Sequence, residues 1–93
     1  MVLPVNYNDC SQIMRKTVRE EYVRIQNGLC CYCNAPLDKC PSEDVLRLKI
    51  DHKLFPLNFF KYPIHLHHNH NTGLTIGAVH NKCNAVLWQY LNE

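Results

Sequence analysis

The 93 residues carry a formal net charge of +2, with 46% hydrophobic residues, six cysteines and six histidines. A chain this short buries a limited core and commonly relies on a metal, disulfides or a partner subunit. It shows no apolar run long enough to span a bilayer and no basic-then-apolar secretory start, so a cytoplasmic setting is expected, with cysteines that bind metal rather than form a disulfide framework.

No repeat, low-complexity tract or linker marks a boundary, and residues 1–93 read as one domain. Met1 to Asn8, with Pro4, is expected to run extended. Asp9 or Ser11 can cap a helix, Gln12 standing three residues after Asp9. Met14, Val18, Tyr22 and Ile25 recur at helical spacing, widened by Ile13, and Gly28 supplies a stop, which predicts an N-terminal helix over 11–28. Its polar side holds Arg15, Lys16, Arg19 and Arg24. Charge alone favours a solvated face there, offset by Glu20 and Glu21, over a phosphate contact.

Cys30-Cys31-Tyr32-Cys33 follows at once. A Cys-x-x-Cys turn brings two sulfurs to one ion, and also describes a redox pair. Cys10 and Cys40 have no partner spacing and read as free thiols. Val45 to His52 alternates, with Leu46, Leu48 and Ile50 opposite Arg47, Lys49 and Asp51, which predicts a strand. Phe55, Phe59, Phe60 and Tyr62 form an aromatic patch that reads as core, with stacking on bases as the alternative. Ile64 to His68 predicts a second short strand, Asn69 to Gly73 a turn, Leu74 to Val79 a further strand, and Lys82 to Leu91 a closing helix.

His80-x-x-Cys83 repeats the spacing of Cys30-x-x-Cys33. Two such pairs flanking the strands suit a tetrahedral structural zinc of the Cys3His type, with Cys31 as the substitute for Cys30. The ion would join the end of the first helix to the start of the last. His67 and His68 end a strand, and Asn84 opens the last helix. If the hairpin folds back on that helix, His67 and Asn84 can share a divalent ion, leaving His68 beside it as a base for water.

The stretch from His67 to Leu87 resembles the His-Me finger (ββα-metal, HNH) nucleases, and among them the recombination endonuclease VII group of phage enzymes. That pattern is Asp-His-x-His, a turn ending in Gly, a strand with a second Gly, then Cys-x-x-Cys-Asn. Here it runs His67-His68-Asn69-His70, Gly73, Gly77, and His80-x-x-Cys83-Asn84, with Cys30-x-x-Cys33 matching the upstream zinc pair. Three positions depart: His67 replaces the Asp, His80 replaces a Cys, and Ile76 stands where Arg is frequent.

The resemblance implies an α+β, ββα-metal fold with a structural zinc, and an endonuclease that hydrolyses DNA, double-stranded or branched, inside the cell. It implies His68 as general base, His67 and Asn84 as Mg²⁺ ligands, His70 as a supporting or phosphate-contacting group, and Cys30, Cys33, His80 and Cys83 as zinc ligands. Lys82, Lys61 and Arg19 are candidate phosphate contacts, and two copies could pair to cut both strands. Asp51-His52 is a rival metal-and-base centre, because it resembles the Asp-His start of many HNH motifs. Two other functions fit the same cysteines: a non-catalytic zinc module that binds nucleic acid, and a redox or metal-storage protein.

Overall fold

The computed structural model describes residues 1–93. The chain is a small α+β fold with three helices, α1 (Gln12–Ile25), α2 (Glu43–Leu46) and α3 (Asn81–Leu91), and a two-stranded antiparallel sheet of β1 (Ile64–His68) and β2 (Thr75–His80). No helix is long and apolar enough to cross a membrane.

Helix α1 starts at Ser11, whose hydroxyl accepts from the Met14 amide at 3.2 Å. Asp9 lies in a separate 3-10 turn, Tyr7–Asp9, so of the two expected caps Ser11 is the one used. The predicted Gly28 stop is present: its φ is +74°, and its N–H closes on the Val23 carbonyl at 2.8 Å. The buried stripe of α1 is narrower than the periodicity predicts. Val18 and Tyr22 are buried, whereas Ile13, Met14 and Ile25 are exposed. The Tyr22 hydroxyl pairs with the Thr75 hydroxyl at 2.9 Å, tying α1 to β2.

After α1 the chain makes a tight knuckle. Cys30 N–H donates to the Ala35 carbonyl at 2.8 Å, Asn34 N–H donates back to Cys30 at 3.0 Å, and Cys31 N–H docks on the Ala78 carbonyl of β2 at 3.0 Å. The Gln26 side chain locks the same junction, donating to the Leu29 and Ala78 carbonyls and accepting from the Ala78 amide. This explains Gly77. A Cβ there would lie 2.7 Å from Gln26 Oε1 and 2.8 Å from Cys31 Sγ.

The strand predicted over Val45–His52 does not form. Ser42 is followed by Glu43 and Asp44, acids that favour a helix start, and the segment opens as α2, burying Val45. The backbone beyond it bonds to α3 side chains instead of a neighbouring strand. Gln89 accepts from the Asp51 amide at 2.9 Å, and Gln89 and Tyr90 both donate to the Lys49 carbonyl. Leu48 and Ile50 still pack against the core. Of the aromatic patch, Phe55 is buried and meets Phe59 at 4.8 Å with the rings tilted, but Tyr62 is 65% exposed.

The hairpin pairs Ile64 with His80, Leu66 with Ala78 and His67 with Gly77, and its register slips between His67 and His68. Asn69 nucleates the turn, its side chain accepting from the Asn71 and Thr72 amides. Gly73 closes the turn at φ +80°, where a Cβ would also strike Asn6 Oδ1 at 2.8 Å. The Val5–Tyr7 segment bonds along the start of β2, through Thr75 N–H to Val5 O at 2.9 Å and Tyr7 N–H to Gly73 O at 2.8 Å. Helix α3 follows β2 directly and buries Cys83, Ala85, Val86 and Leu87. One core cluster of 11 buried residues joins α1, the knuckle, α2, the hairpin and α3.

Candidate functional site

Two groups of polar side chains gather around the hairpin and the start of α3. The first is Cys30, Cys33, His80 and Cys83, whose ligand atoms all lie within 4.8 Å of one another, and this Cys3His cluster could hold a metal ion such as zinc. The knuckle presents Cys30 and Cys33. His80 ends β2, and Cys83 sits in the first turn of α3. His80 Nδ1 lies 3.5 Å from Cys33 Sγ and 3.6 Å from Cys83 Sγ.

The other ring nitrogen fixes the tautomer. His80 Nε2 lies 2.9 Å from the Pro36 carbonyl and 3.0 Å from the Lys39 carbonyl, both acceptors, so Nε2 carries the proton and Nδ1 offers its lone pair to the sulfurs. Orienting partners of this kind accompany ligating histidines. The hydrogen bond from Cys83, with help from backbone amides, draws the Cys30 thiol down to about 4. Cys83 is pushed up, first by that bond to Cys30 and then by burial. The cluster thus prefers one thiolate and resists a second until a cation neutralises them. Cys10, Cys31 and Cys40 stay outside it, and Cys31 is exposed, so Cys30 and not its neighbour belongs to the set.

The second group centres on a groove of about 910 Å³ between α1, β1 and α3, which His65, His68, His70 and Asn84 line and the buried His67 does not. Asn84, one residue past Cys83, projects toward β1, and its amide nitrogen lies 3.1 Å from His65 Nδ1. His67 lies two residues further along the same strand, paired with Gly77 of β2. His67 is buried, and its Nδ1 is the one buried side-chain polar atom without a hydrogen-bond partner. An unpartnered buried imidazole nitrogen is a donor free to ligate or to hydrogen-bond.

His68 lies beyond the register slip and lines the groove. Its ring stacks on Tyr7 at 3.9 Å with 6° between planes, and His70 meets it edge-on at 4.6 Å. His70 in turn rests against Trp88 at 4.1 Å. On the far side of Tyr7, the Arg15 guanidinium lies 3.8 Å from the ring centroid. Burial lowers the pKa of His65, His67 and His68 alike. Arg19 pushes His65 and Arg15 pushes His68 the same way, while Glu93 acts against burial at His67. All three imidazoles are held toward the neutral form that can bind a metal or accept a proton.

The α1 wall of the groove carries Arg15, Lys16 and Arg19. None of the three is ion-paired, for the ion pairs of the chain are Arg24 with Glu21 and Arg47 with Glu43. The face read from charge as a solvated one is therefore divided, with one pair neutralised and three cations directed at the groove. The other expected phosphate contacts differ. Lys61 is exposed, its ammonium 5.5 Å from the Tyr62 ring. Lys82 is turned away, donating to the Leu46 carbonyl at 2.9 Å.

Asp51 and His52 lie apart from the groove. Asp51 caps the Lys53 amide at 2.9 Å, and His52 Nδ1 approaches the Phe55 carbonyl at 3.4 Å. Two participants were not anticipated from sequence. His65 shares a strand face with His67, a relation visible as two-residue spacing once the strand is drawn. Tyr7 reaches His68 through the added edge segment, which no local pattern announces. No protein-family model, curated protein or solved structure matches the chain.

Proposed function

We propose that the chain is a metal-dependent DNA endonuclease of the ββα-metal type, with zinc in the Cys3His cluster as a structural clip. The observation that carries this reading is the meeting of His68 and Asn84 on one groove whose α1 side bears three cations outside any ion pair, with the unpartnered His67 Nδ1 buried one residue before His68. A neutral histidine beside a divalent-ion position, facing a phosphate-binding wall, is the arrangement phosphodiester hydrolysis needs.

In this reading His68 takes the proton from the attacking water. Its stack on Tyr7 fixes the ring plane, and burial lowers its pKa and so favours the unprotonated form. His67 and Asn84 hold the divalent cation, which when bound neutralises charge on the phosphoryl group and the departing oxygen. His65, accepting from Asn84 Nδ2, holds the Asn84 amide so that its oxygen faces away from His65. His70 supports His68 from its edge, and Arg15, Lys16 and Arg19 hold the phosphates on either side.

The test is a divalent-ion titration of DNA cleavage with zinc-loaded protein. His67→Ala and Asn84→Ala should each need at least tenfold more Mg²⁺ or Mn²⁺ to reach half-maximal rate. An unchanged ion dependence in both would remove them as ligands. The second reading, a non-catalytic zinc module that binds nucleic acid, is favoured by one feature: the Tyr7 ring covers a face of His68. It predicts binding without cleavage under every metal condition.

A further inference from the structure

The groove holds more than cations. Trp88 from α3 lines it and is 43% exposed, although one side of its indole rests on His70. Tyr62 lines the same groove at 65% exposure, with the Lys61 ammonium near its ring. Two large aromatic rings with open surface share this groove with Arg15, Lys16 and Arg19. No carboxylate lines it.

Cations alone suit any nucleic acid, because every strand carries phosphates. Exposed aromatic faces are more selective. A duplex hides its base faces in the stack, whereas an unpaired strand offers each base to a ring. We propose that the groove takes single-stranded DNA, with a base stacked on Trp88, a second near Tyr62, and the phosphates on Arg15, Lys16 and Arg19. Placing that strand next to His68 makes it the substrate class of the proposed nuclease, and the inference rests on the nuclease reading only for that last step.

Trp88 is the single tryptophan of the chain, so its fluorescence reports the stack directly. Zinc-loaded protein is titrated with a deoxythymidylate oligonucleotide and with a duplex of equal length, without added Mg²⁺ or Mn²⁺. Saturable quenching is expected, with the single strand bound at least tenfold more tightly at equal salt. With a dye-labelled oligonucleotide, Trp88→Phe should bind nearly as wild type and Trp88→Ala roughly five- to hundredfold more weakly. Arg19→Gln should flatten the salt dependence by about 0.7 in the slope of log K against log salt.

Duplex binding as tight as single-strand binding would overturn the proposal, as would wild-type affinity in a folded Trp88→Ala. If Trp88→Ala does not fold, Tyr62→Ala, at an exposed position, takes its place, and single-strand affinity unchanged in it refutes the stacking. Single-strand binding with no cleavage after Mn²⁺ is added sinks the nuclease reading and leaves this one standing. Duplex cleavage with no preference for single strands does the reverse.

Discussion

Removing the metal from the Cys3His cluster should nearly unfold the chain. Cys33 and His80 are 47 positions apart in sequence, and cross-linking a loop of that length removes about 4 kcal/mol of unfolded-chain entropy. Domains of this size are stable by roughly 5–14 kcal/mol, so the clip supplies between a third and most of the total. The core offers little reserve, because only 18 of 93 residues are buried and Cys30 and Cys83 are among the five largest fully buried side chains. At about 4–8 °C per kcal/mol for a small domain, the loss corresponds to a fall in Tm of roughly 16–32 °C. The assay is a circular-dichroism melt before and after stoichiometric chelation, alongside a zinc count per chain. Cys83→Ser should reproduce the chelated melt. A chelated chain that melts within a few degrees of the loaded one, or a preparation that takes up no zinc, would refute the reasoning.

Three further outcomes are expected. His65, His67 and His68 all have pKa values below the ordinary ~6.5 of histidine. As pH falls the unfolded chain therefore takes up protons first. The stability these groups contribute is whole above about pH 6.5 and is lost as pH drops through their lowered folded values. Tm should decline from pH 7 toward pH 5 while zinc is still bound, and His65→Gln should show a smaller decline; a drop of equal size in that variant would assign the effect elsewhere. Gly77→Ala should cost about 1–3 kcal/mol in a urea titration, because the added Cβ meets Gln26 and Cys31 below 3.0 Å; a neutral result would mean that the junction yields freely. Tyr7→Ala should leave the zinc count unchanged but broaden the His68 ring resonances, since the parallel stack that fixes the ring is gone; unchanged spectra would show that Tyr7 does not order His68.

The parts of the fold that local pattern governs were legible. Helix α1 and α3 follow from apolar spacing, the hairpin from β-branched runs around an Asn/Gly turn, and the Cys3His cluster from two matching two-residue spacings. The strand expected over Val45–His52 fails for a tertiary reason. Its alternation is real, with Leu48 and Ile50 turned to the core, but its backbone is met by Gln89 and Tyr90 of α3, and no neighbouring strand exists to pair it. The candidate groove was half legible. His68 and Asn84, which line it, stand in the motif that the sequence displays, whereas His67 is buried outside it and His65 depends on which face of β1 meets α3. Tyr7 depends on the long-range pairing of Val5–Tyr7 with Gly73 and Thr75, and the direction of the α1 cations depends on how that helix is rotated against the sheet.

The central claim is that His68 performs phosphodiester hydrolysis in the groove. The most direct measurement is nicking of supercoiled plasmid and of branched DNA by zinc-loaded protein, with and without Mg²⁺ or Mn²⁺. Wild type, His68→Ala and His52→Ala are run side by side, with DNA binding measured in parallel. Cleavage that needs the divalent ion, is lost in His68→Ala with binding retained, and survives in His52→Ala is the predicted result. Cleavage lost only in His52→Ala, or no cleavage by wild type on either substrate, would contradict it.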